Sequence, residues 1–319
     1  MSATHSILLC PGQGAQRAGM GKAWFDSSEH ARAIFGAASA ALGDSLGAPL
    51  TDLCFAGPDE RINRTDAAQP ALYACAVASH AALCAAGALP PPVAAAGLSL
   101  GEYTALHLAG AFTFLEGLRL VALRGAAMQS AAEMSRGGMV ALIGADEAQA
   151  NQVCADAARG EVLVPANLNA PGQIVLSGHA SACDRAAPAA EALGLKASRL
   201  AVAGAFHSPL MAPAAERLAR ALEAVEIRAP AFPVYSNVTA EAHGAGPHAG
   251  QPIAASIKAR LVEQLTAPVR WDASCKAMLS RWSGPDAPAL HELAPGKVLA
   301  GLMRRIDRAA KVESHDEPA

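Results

Sequence analysis

The chain has 319 residues, of which 52% are hydrophobic and 17% are charged, and its formal net charge is −3. This composition is typical of a soluble α/β protein, and the length suffices for one large domain with a smaller one attached. A weakly negative chain has no overall basic field, which argues against nucleic acid as a partner. The sequence begins without a basic, apolar leader, and its seven cysteines form no C-x-x-C pair. We therefore expect a cytoplasmic protein with reduced thiols and no membrane association.

The first predicted element is a buried strand over 6–10, followed by a loop over 11–16 with the sequence PGQGAQ. The loop does not complete the dinucleotide-binding fingerprint G-x-G-x-x-G, because Arg17 occupies the last position. It is either an ordinary glycine-rich turn or a place where backbone N–H groups approach a ligand closely. Residues 22–47 are predicted to be helical. So is the alanine-rich stretch from Gln69 to 89, whose weak hydrophobicity favours a buried helix over a membrane span.

A second strand is predicted before 97, and it runs into the pentapeptide Gly97-Leu98-Ser99-Leu100-Gly101 and then into a helix. A buried strand, a sharp turn and a helix form the context in which G-x-S-x-G exposes a nucleophilic serine. The N–H groups at the start of such a helix can stabilise a developing negative charge. The alternative is a plain βα turn with a small residue at its tip. The flanking strand and helix favour Ser99 as a nucleophile.

The next predicted helix runs to about 134, with Thr113 as its N-cap and Glu116 completing a capping box. Arg124 lies in an otherwise apolar part of this helix. Its guanidinium either reaches solvent along the helix surface or pairs with an anion. The periodicity of the segment does not decide between the two.

The pattern of the sequence changes at 136, and strands and helices then follow in the order βαββαβ until about 203. That order is the ferredoxin-like pattern. We therefore predict that a small ferredoxin-like subdomain, 136–203, is inserted into a larger domain formed by 1–135 and 204–319.

His207 lies in a loop that follows a predicted strand and returns the chain to the larger domain. A histidine at such a position is either structural or catalytic, and without a known partner the structural role is the more common one. Further elements are helices over 209–226 and 257–265, strands over 232–238 and 290–294, a basic last helix near Arg304 to Lys311, and a frayed tail at 313–319.

A series of short segments follows in a fixed order: PGQGAQ at 11–16, QPAL at 69–72, GLSLGEY at 97–103, Arg124-Gly125, NLNAPGQ at 167–173, GAFHS at 204–208, YSNVT at 235–239, PVRW at 268–271 and PGKVL at 295–299. In this order they resemble the malonyl-CoA:acyl carrier protein transacylases and the acyltransferase domains of fatty acid and polyketide synthases. The resemblance covers about 6–305. It implies an α/β fold in which a large α/β-hydrolase-like domain with a parallel sheet carries the ferredoxin-like subdomain.

The resemblance also implies a catalytic role for several positions. Ser99 is the nucleophile and His207 is its general base. The backbone N–H groups of Gln13 and Leu100 form the oxyanion hole. A main-chain carbonyl in 268–270, that of Arg270, orients the histidine in place of a third carboxylate.

On the substrate side, the resemblance implies that Arg124 binds the free carboxylate of a malonyl group. Phe206 narrows the space at the α-carbon and so favours malonyl over methylmalonyl. The sequence departs from the family pattern at two positions. Leu98 stands where many relatives have histidine, and Cys10 replaces a common aromatic residue. Neither change removes a named catalytic group.

The implied activity is transfer of a malonyl group from malonyl-CoA to the phosphopantetheine thiol of an acyl carrier protein, through a malonyl-serine, for fatty acid synthesis. The implied partners are the carrier protein and the CoA thioester, and the enzyme is expected to be a monomer without cofactor or metal. Lys196, Arg199 and the cluster from Arg304 to Lys311 are candidate contacts for an acidic carrier, although a basic last helix is more often a solvated face.

Two other functions remain open at this point. A serine esterase or thioesterase would share the elbow, the sharp turn at 97–101 between strand and helix that exposes Ser99. It would, however, need a catalytic acid between Ser99 and His207, and the insert offers no obvious one. A non-catalytic scaffold would have no use for an intact serine, histidine and arginine. Both alternatives therefore rank below the transacylase.

Overall fold

The computed structural model describes residues 3–245 and 250–318. Its strands are β1 (Ser6–Cys10), β2 (Pro92–Gly97), β3 (Gly137–Ile143), β4 (Leu163–Ala170), β5 (Gln173–His179), β6 (Lys196–Arg199), β7 (Val234–Tyr235), β8 (Ala289–Glu292) and β9 (Val312–Ser314). Its helices are α1 (Lys22–Ser27), α2 (Glu29–Leu42), α3 (Leu50–Ala56), α4 (Asp59–Ile62), α5 (Thr65–Ala85), α6 (Gly101–Leu108), α7 (Phe114–Ser135), α8 (Glu147–Ala158), α9 (Ala180–Ala192), α10 (Ala212–Glu223), α11 (Ile253–Glu263), α12 (Trp271–Arg281) and α13 (Val298–Ile306). Within these two ranges, no helix combines the length and the apolar character needed to cross a membrane.

A five-stranded parallel sheet with the order β7-β2-β1-β8-β9 forms the centre of the larger part of the chain. The central strand β1 is buried along its whole length. Its side chains alternate, so that Leu8 and Cys10 join the core with α2, α5 and α7, while Ile7 and Leu9 join the core with α12 and α13. Helices cover both faces of the sheet, which explains why β1 is a continuous apolar run. Because β1 and β2 are adjacent and parallel, the 11–16 loop and the 97–101 turn meet at one sheet edge.

The segment 137–199 forms the predicted ferredoxin-like unit. Its strands make an antiparallel sheet with the order β4-β5-β3-β6. Helices α8 and α9 pack on one face of this sheet around a separate core that includes Leu142, Val153 and Leu176. The predicted α/β fold and the βαββαβ order are therefore confirmed. The division of the chain into domains at 136 and 203 remains a prediction.

The other face of the antiparallel sheet is turned toward the larger part of the chain. Met139 and Val175 from this face belong to the core of the larger part. Backbone hydrogen bonds also join the two parts, since Val269 N–H donates to Ala166 O at 2.8 Å and Leu168 N–H donates to Val269 O at 2.9 Å. A cleft lies between the ferredoxin-like unit and the edge where β1 and β2 end, and residues of both parts line it.

The end of the chain forms an additional strand, which corrects the expectation of a frayed tail at 313–319; residue 319 itself lies outside the described residues. β9 pairs in parallel with β8. The indole N–H of Trp24 donates to the carbonyl oxygens of His315 and Asp316, both at 3.2 Å. Arg17 also pairs with Asp316 at 2.9 Å. These contacts tie the chain end to the segment that follows the 11–16 loop.

Candidate active site

Ser99 lies at the turn between β2 and α6. Its φ of 53° is in the left-handed region, which a residue with a side chain adopts only when its surroundings hold it there. Gly101 makes the turn possible, because a Cβ at this position would lie 2.1 Å from the carbonyl oxygen of Cys10. The turn brings Ser99 to the wall of the cleft, in the strand–turn–helix context that the motif predicts.

The hydroxyl of Ser99 is hydrogen-bonded to His207. Ser99 Oγ lies 2.8 Å from His207 Nε2, and His207 is only 4% exposed. Burial, reinforced by the positive charge of Arg124, lowers the pKa of His207 to about 4, although its hydrogen bond to the backbone of Gln264 acts in the opposite direction. The imidazole is therefore neutral near pH 7, and Nε2 can accept the serine proton.

The group that orients His207 is the main-chain carbonyl of Gln264, at 2.7 Å from Nδ1. Gln264 directly follows α11, and carbonyl groups at the end of a helix lack an intrahelical partner. The carbonyl of Arg270 instead accepts hydrogen bonds from the backbone N–H and the hydroxyl of Ser274 at the start of α12, both at 3.0 Å. The prediction for Arg270 is therefore wrong, because its carbonyl is already used to begin a helix.

Arg124 points toward the cleft and is 1% exposed, which excludes the alternative in which it reaches solvent. Its guanidinium donates to the side-chain oxygens of Gln69 at 2.8 Å and Gln264 at 2.9 Å, and to Ser99 Oγ at 3.0 Å. None of these acceptors is charged, and Arg124 Nε has no partner among the described residues. A buried cation held only by neutral groups is unfavourable, and a bound anion would relieve it.

A cavity of about 490 Å³ opens where these groups meet. Ser99, Arg124 and His207 all line it. Other wall residues are Gln13 and Phe206 from the larger part of the chain, and Met139, Asn167 and Val175 from the ferredoxin-like unit. The structure thus brings into one cleft the side chains of the serine, the histidine, the arginine and the phenylalanine that the sequence singled out.

Two backbone N–H groups near Ser99, those of Gln13 and Leu100, have no acceptor in the part of the chain that the structure describes. The 11–16 loop packs so tightly on the elbow that a Cβ on Gly12 would lie 2.2 Å from the carbonyl oxygen of Leu98. Leu100 directly precedes α6, where N–H groups lack intrahelical partners. Both N–H groups are therefore available, and their role as oxyanion donors remains a prediction.

The amide side chains that hold the site together were not predicted from the sequence. Asn237 accepts a hydrogen bond from Ser99 N–H at 2.6 Å and donates to Gly97 O at 2.8 Å, so it fixes the elbow from behind. Gln69 and Asn237 lie in the segments QPAL and YSNVT, which the resemblance had already marked. Gln264 lies in none of those segments, and only its place at the end of a helix could have pointed to it.

One group outside the cleft has the composition of a metal site. His291 on β8, Glu313 on β9 and His315 each offer a ligand atom within 4.8 Å of the others. The nitrogens His291 Nδ1 and His315 Nε2 are 2.9 Å apart, while the ring centres are 5.1 Å apart and the ring planes differ by 14°. The two rings are therefore nearly coplanar, with His291 Nδ1 and His315 Nε2 facing each other, and this arrangement suits one proton shared between the two nitrogens. Because the two nitrogens face each other, the rings would have to turn before both could direct a lone pair at one metal ion about 2.0–2.1 Å away.

Comparison with known proteins agrees with this geometry. The sequence matches the family model described as an acyl transferase domain over residues 7–296. It is 38% identical over 317 residues to the malonyl CoA-acyl carrier protein transacylase of Escherichia coli K12, covering 99% of this chain and 97% of that protein. Among solved structures, the malonyl CoA-acyl carrier protein transacylase of Coxiella burnetii superposes with a TM-score of 0.90 at 38% identity, covering 99% of this chain and 95% of the other.

A second similar structure is a type II polyketide-synthase acyl carrier protein in complex with its malonyl-transacylase. It superposes with a TM-score of 0.89 at 36% identity, covering 99% of this chain and 97% of the matched one. High identity over nearly the whole of each chain, together with the family match, establishes the relationship. The chain belongs to the acyl transferase family and, within it, to the malonyl-CoA:acyl carrier protein transacylases.

Proposed function

We propose that this chain transfers a malonyl group from malonyl-CoA to the phosphopantetheine thiol of an acyl carrier protein, through a malonyl ester on Ser99. The observation that carries the proposal is a single hydroxyl that lies 2.8 Å from the imidazole of His207 and 3.0 Å from the guanidinium of Arg124. A serine hydrolase needs the hydroxyl and the imidazole. The buried guanidinium adds a binding group for an acyl chain that ends in a carboxylate.

In the first half-reaction, Ser99 Oγ attacks the thioester carbonyl of malonyl-CoA while His207 Nε2 takes the hydroxyl proton. The N–H groups of Gln13 and Leu100 stabilise the oxyanion of the tetrahedral intermediate. Loss of one such donor typically costs about 2.7–4 kcal/mol of barrier. The carbon–sulfur bond then breaks, CoA leaves as the thiol with the proton from His207, and the malonyl ester remains on Ser99.

In the second half-reaction, the phosphopantetheine thiol of the carrier gives its proton to His207 and attacks the ester carbonyl. The carbon–oxygen bond to Ser99 breaks, and the proton returns from His207 to the serine oxygen. A covalent intermediate lets two large thiol carriers use one cleft in turn, which gives ping-pong kinetics.

Arg124 selects the acyl group in this proposal. It binds the malonyl carboxylate by charge-assisted hydrogen bonds, whereas an acetyl or fatty acyl group would leave the cation buried without an anion. Phe206, which is buried beside His207 and lines the cavity, limits the space for a branch at the α-carbon. Malonyl is therefore the preferred donor over methylmalonyl.

The proposal includes the cellular location, the oligomeric state and the pathway of the enzyme. We place the enzyme in the cytoplasm as a monomer that supplies fatty acid synthesis, and every chemical step above uses groups of this chain without a cofactor or metal. The similarity to a complex that contains a type II polyketide-synthase carrier makes a polyketide carrier the second candidate acceptor.

A product analysis separates the transferase from a thioesterase. The enzyme is mixed with malonyl-CoA in the presence and absence of phosphopantetheinylated carrier protein, and malonyl-carrier and free malonate are both measured. The proposal predicts that the carrier takes most of the malonyl groups. Release of free malonate at the same rate with and without the carrier would instead favour a hydrolase.

The pKa of His207 predicts an enzyme that keeps its activity below neutral pH. Burial and the charge of Arg124 lower this pKa to about 4, whereas an unperturbed histidine has a pKa near 6.5. Between these two pH values His207 therefore stays an unprotonated base, while an unperturbed histidine would be mostly protonated. As the pH is lowered from 7, kcat/KM for malonyl transfer should therefore show no decrease around pH 6.5 and should fall only with a midpoint near 4. The Arg124→Ala variant should have a higher midpoint, because one cause of the shift is gone.

Circular dichroism at each pH provides the control for this profile. Partial burial also lowers the pKa of His80 to about 4, so the unfolded state takes up protons first and the free energy of unfolding declines as pH falls below about 6.5. Points at which the protein unfolds are discarded. A midpoint near 6.5 in the folded native enzyme would contradict the account of His207.

A basic cavity beside α13 and β9 is the candidate surface for the acidic carrier. Lys297, Arg304, Arg308 and Lys311 all line it and are exposed. None of the four has an ion pair within 3–245 and 250–318. Arg199, the other arginine named from the sequence, is paired with Asp184.

Reversing two of these charges, in Arg304→Glu with Arg308→Glu, should raise the KM for the carrier about tenfold or more, since complementary charge governs encounter between acidic and basic surfaces. Formation of the malonyl-enzyme from malonyl-CoA should not change. Arg217→Glu, at an exposed position on α10, is the matched control. An unchanged KM for the carrier in the double variant would remove this surface from the proposal.

A further inference from the structure

The carboxylate of Glu102 is buried in the first turn of α6, behind the cavity wall. Its Oε1 accepts a hydrogen bond from His243 Nε2 at 2.8 Å. Its Oε2 accepts one from the backbone N–H of Asn237 at 3.0 Å and one from Gln264 Nε2 at 2.7 Å. Glu102 does not line the cavity, so the steps proposed for malonyl transfer leave this charged group without a use.

The side chain of Gln264 connects Glu102 with Arg124. Its Nε2 donates to Glu102 and to Ser99 O, the latter at 3.0 Å. Its Oε1 therefore points the other way, where it accepts the hydrogen bond from Arg124 Nη2 at 2.9 Å. An inverted amide would set an oxygen against the carboxylate and an NH₂ group against the guanidinium. Because a carboxylate and a backbone carbonyl can only accept hydrogen bonds, Glu102 and Ser99 O together fix which end of the amide faces Arg124.

Glu102 also compensates part of the positive charge of Arg124 without touching it. Burial lowers the pKa of Arg124, and the neighbouring Tyr103 and the carboxylate of Glu102 counteract that effect. A carboxylate bonded directly to the guanidinium would balance it more strongly, but it would occupy the N–H groups that a substrate carboxylate needs. The neutral amide of Gln264 keeps the two charges apart and leaves Arg124 Nε without a partner in the described structure.

His243 in turn holds Glu102 in place. The two side chains are almost completely buried against each other. His243 Nδ1 has no partner in the described residues, so Nε2 is the ring nitrogen that carries the bond to Glu102. The carboxylate thus receives donors from His243, Asn237 and Gln264, and these fix both of its oxygens.

We propose that Glu102 is a positioning residue for substrate selection, which orients Arg124 through the amide of Gln264 and supplies its remote counter-charge, while His243 anchors Glu102. The inference rests on the proposed function, because it assumes that Arg124 binds the malonyl carboxylate. It assigns no contact between Glu102 and the substrate.

The test replaces Glu102 by glutamine, which has the same shape but offers one acceptor oxygen where the carboxylate offers two. The measured quantity is the ratio of kcat/KM for malonyl-CoA to that for acetyl-CoA. Glu102→Gln should lower this ratio at least tenfold. In an Arg124→Ala background the same change should alter the ratio less than threefold, because the residue through which Glu102 acts is absent. Equal loss of malonyl and acetyl transfer, or an equal fall of the ratio in both backgrounds, would overturn the proposal.

A second pair of variants keeps the proposal testable if Glu102→Gln does not fold. His243→Gln retains a donor nitrogen at the position of Nε2, whereas His243→Leu removes it at similar volume. The ratio should stay within threefold of the native value in the glutamine variant and fall in the leucine variant. Identical ratios in the two variants would count against the anchoring role.

The Arg124→Ala variant alone separates the two levels of inference. If it leaves the ratio of malonyl to acetyl transfer unchanged, the part of the proposed function on which the inference rests, carboxylate recognition by Arg124, fails. If it collapses the ratio while Glu102→Gln does not, only the role of Glu102 fails.

Discussion

Replacing Ser99 by alanine should abolish the malonyl-enzyme and lower malonyl transfer by roughly 10⁶-fold, the scale on which loss of a serine nucleophile acts. The hydroxyl lies between the base His207 and the guanidinium of Arg124. A methyl group can neither attack the thioester nor pass a proton to the imidazole. Intact mass spectrometry after mixing with malonyl-CoA measures the effect directly, since the native enzyme gains one malonyl group and the variant gains none.

The chain provides a matched control for this experiment. Ser45 lies in a second G-x-S-x-G sequence, GDSLG at 43–47, but it is exposed in a turn after α2 with no strand before it. Ser45→Ala should therefore acylate like the native enzyme. Acylation of Ser99→Ala to the native extent would exclude Ser99 as the nucleophile.

Replacing Arg124 by alanine should reverse the preference of the enzyme between malonyl and acetyl donors. Breaking a buried charge pair from one side costs about 3–5 kcal/mol, so kcat/KM for malonyl-CoA should fall by between about 10²-fold and about 4 × 10³-fold. An acetyl group has no carboxylate and no longer meets a buried cation without an anion. Its transfer should therefore be retained or increase. Steady-state kinetics with both donors measures the two effects.

Arg119→Ala is the control for this substitution. Arg119 lies on the same helix, α7, but its side chain is exposed. Its removal should leave both donors unaffected. An equal loss of malonyl and acetyl transfer in Arg124→Ala would mean that the arginine supports the fold of the site and not the recognition of a carboxylate.

The parts of the site that depend on local structure were predictable from the sequence. The strand, turn and helix around Ser99 follow from glycine spacing and short-range sterics, and the structure has them where they were expected. The capping box of Thr113 and Glu116 at the start of α7 is confirmed for the same reason. The ferredoxin-like unit was predictable because the order of its elements alone defines the pattern.

Parts that depend on contacts between distant segments were not predictable in this way. Whether Arg124 reaches solvent or lies in the cleft is decided by Gln69 and Gln264, which lie far from it along the chain. The carbonyl that orients His207 was assigned to Arg270 from the family resemblance, whereas the carbonyl that does so belongs to Gln264, 57 residues away from the histidine along the chain. The short polar strand β9 has no pattern of its own and forms because β8 offers it an edge.

A crystal structure of the malonyl-enzyme, obtained by a brief soak in malonyl-CoA, tests the central claim most directly. We expect an ester on Ser99 Oγ, its carbonyl oxygen directed at the N–H groups of Gln13 and Leu100, and the malonyl carboxylate within hydrogen-bond distance of the Arg124 guanidinium. A malonyl carboxylate that points to solvent, with the guanidinium still bound only to its neutral partners, would contradict the account.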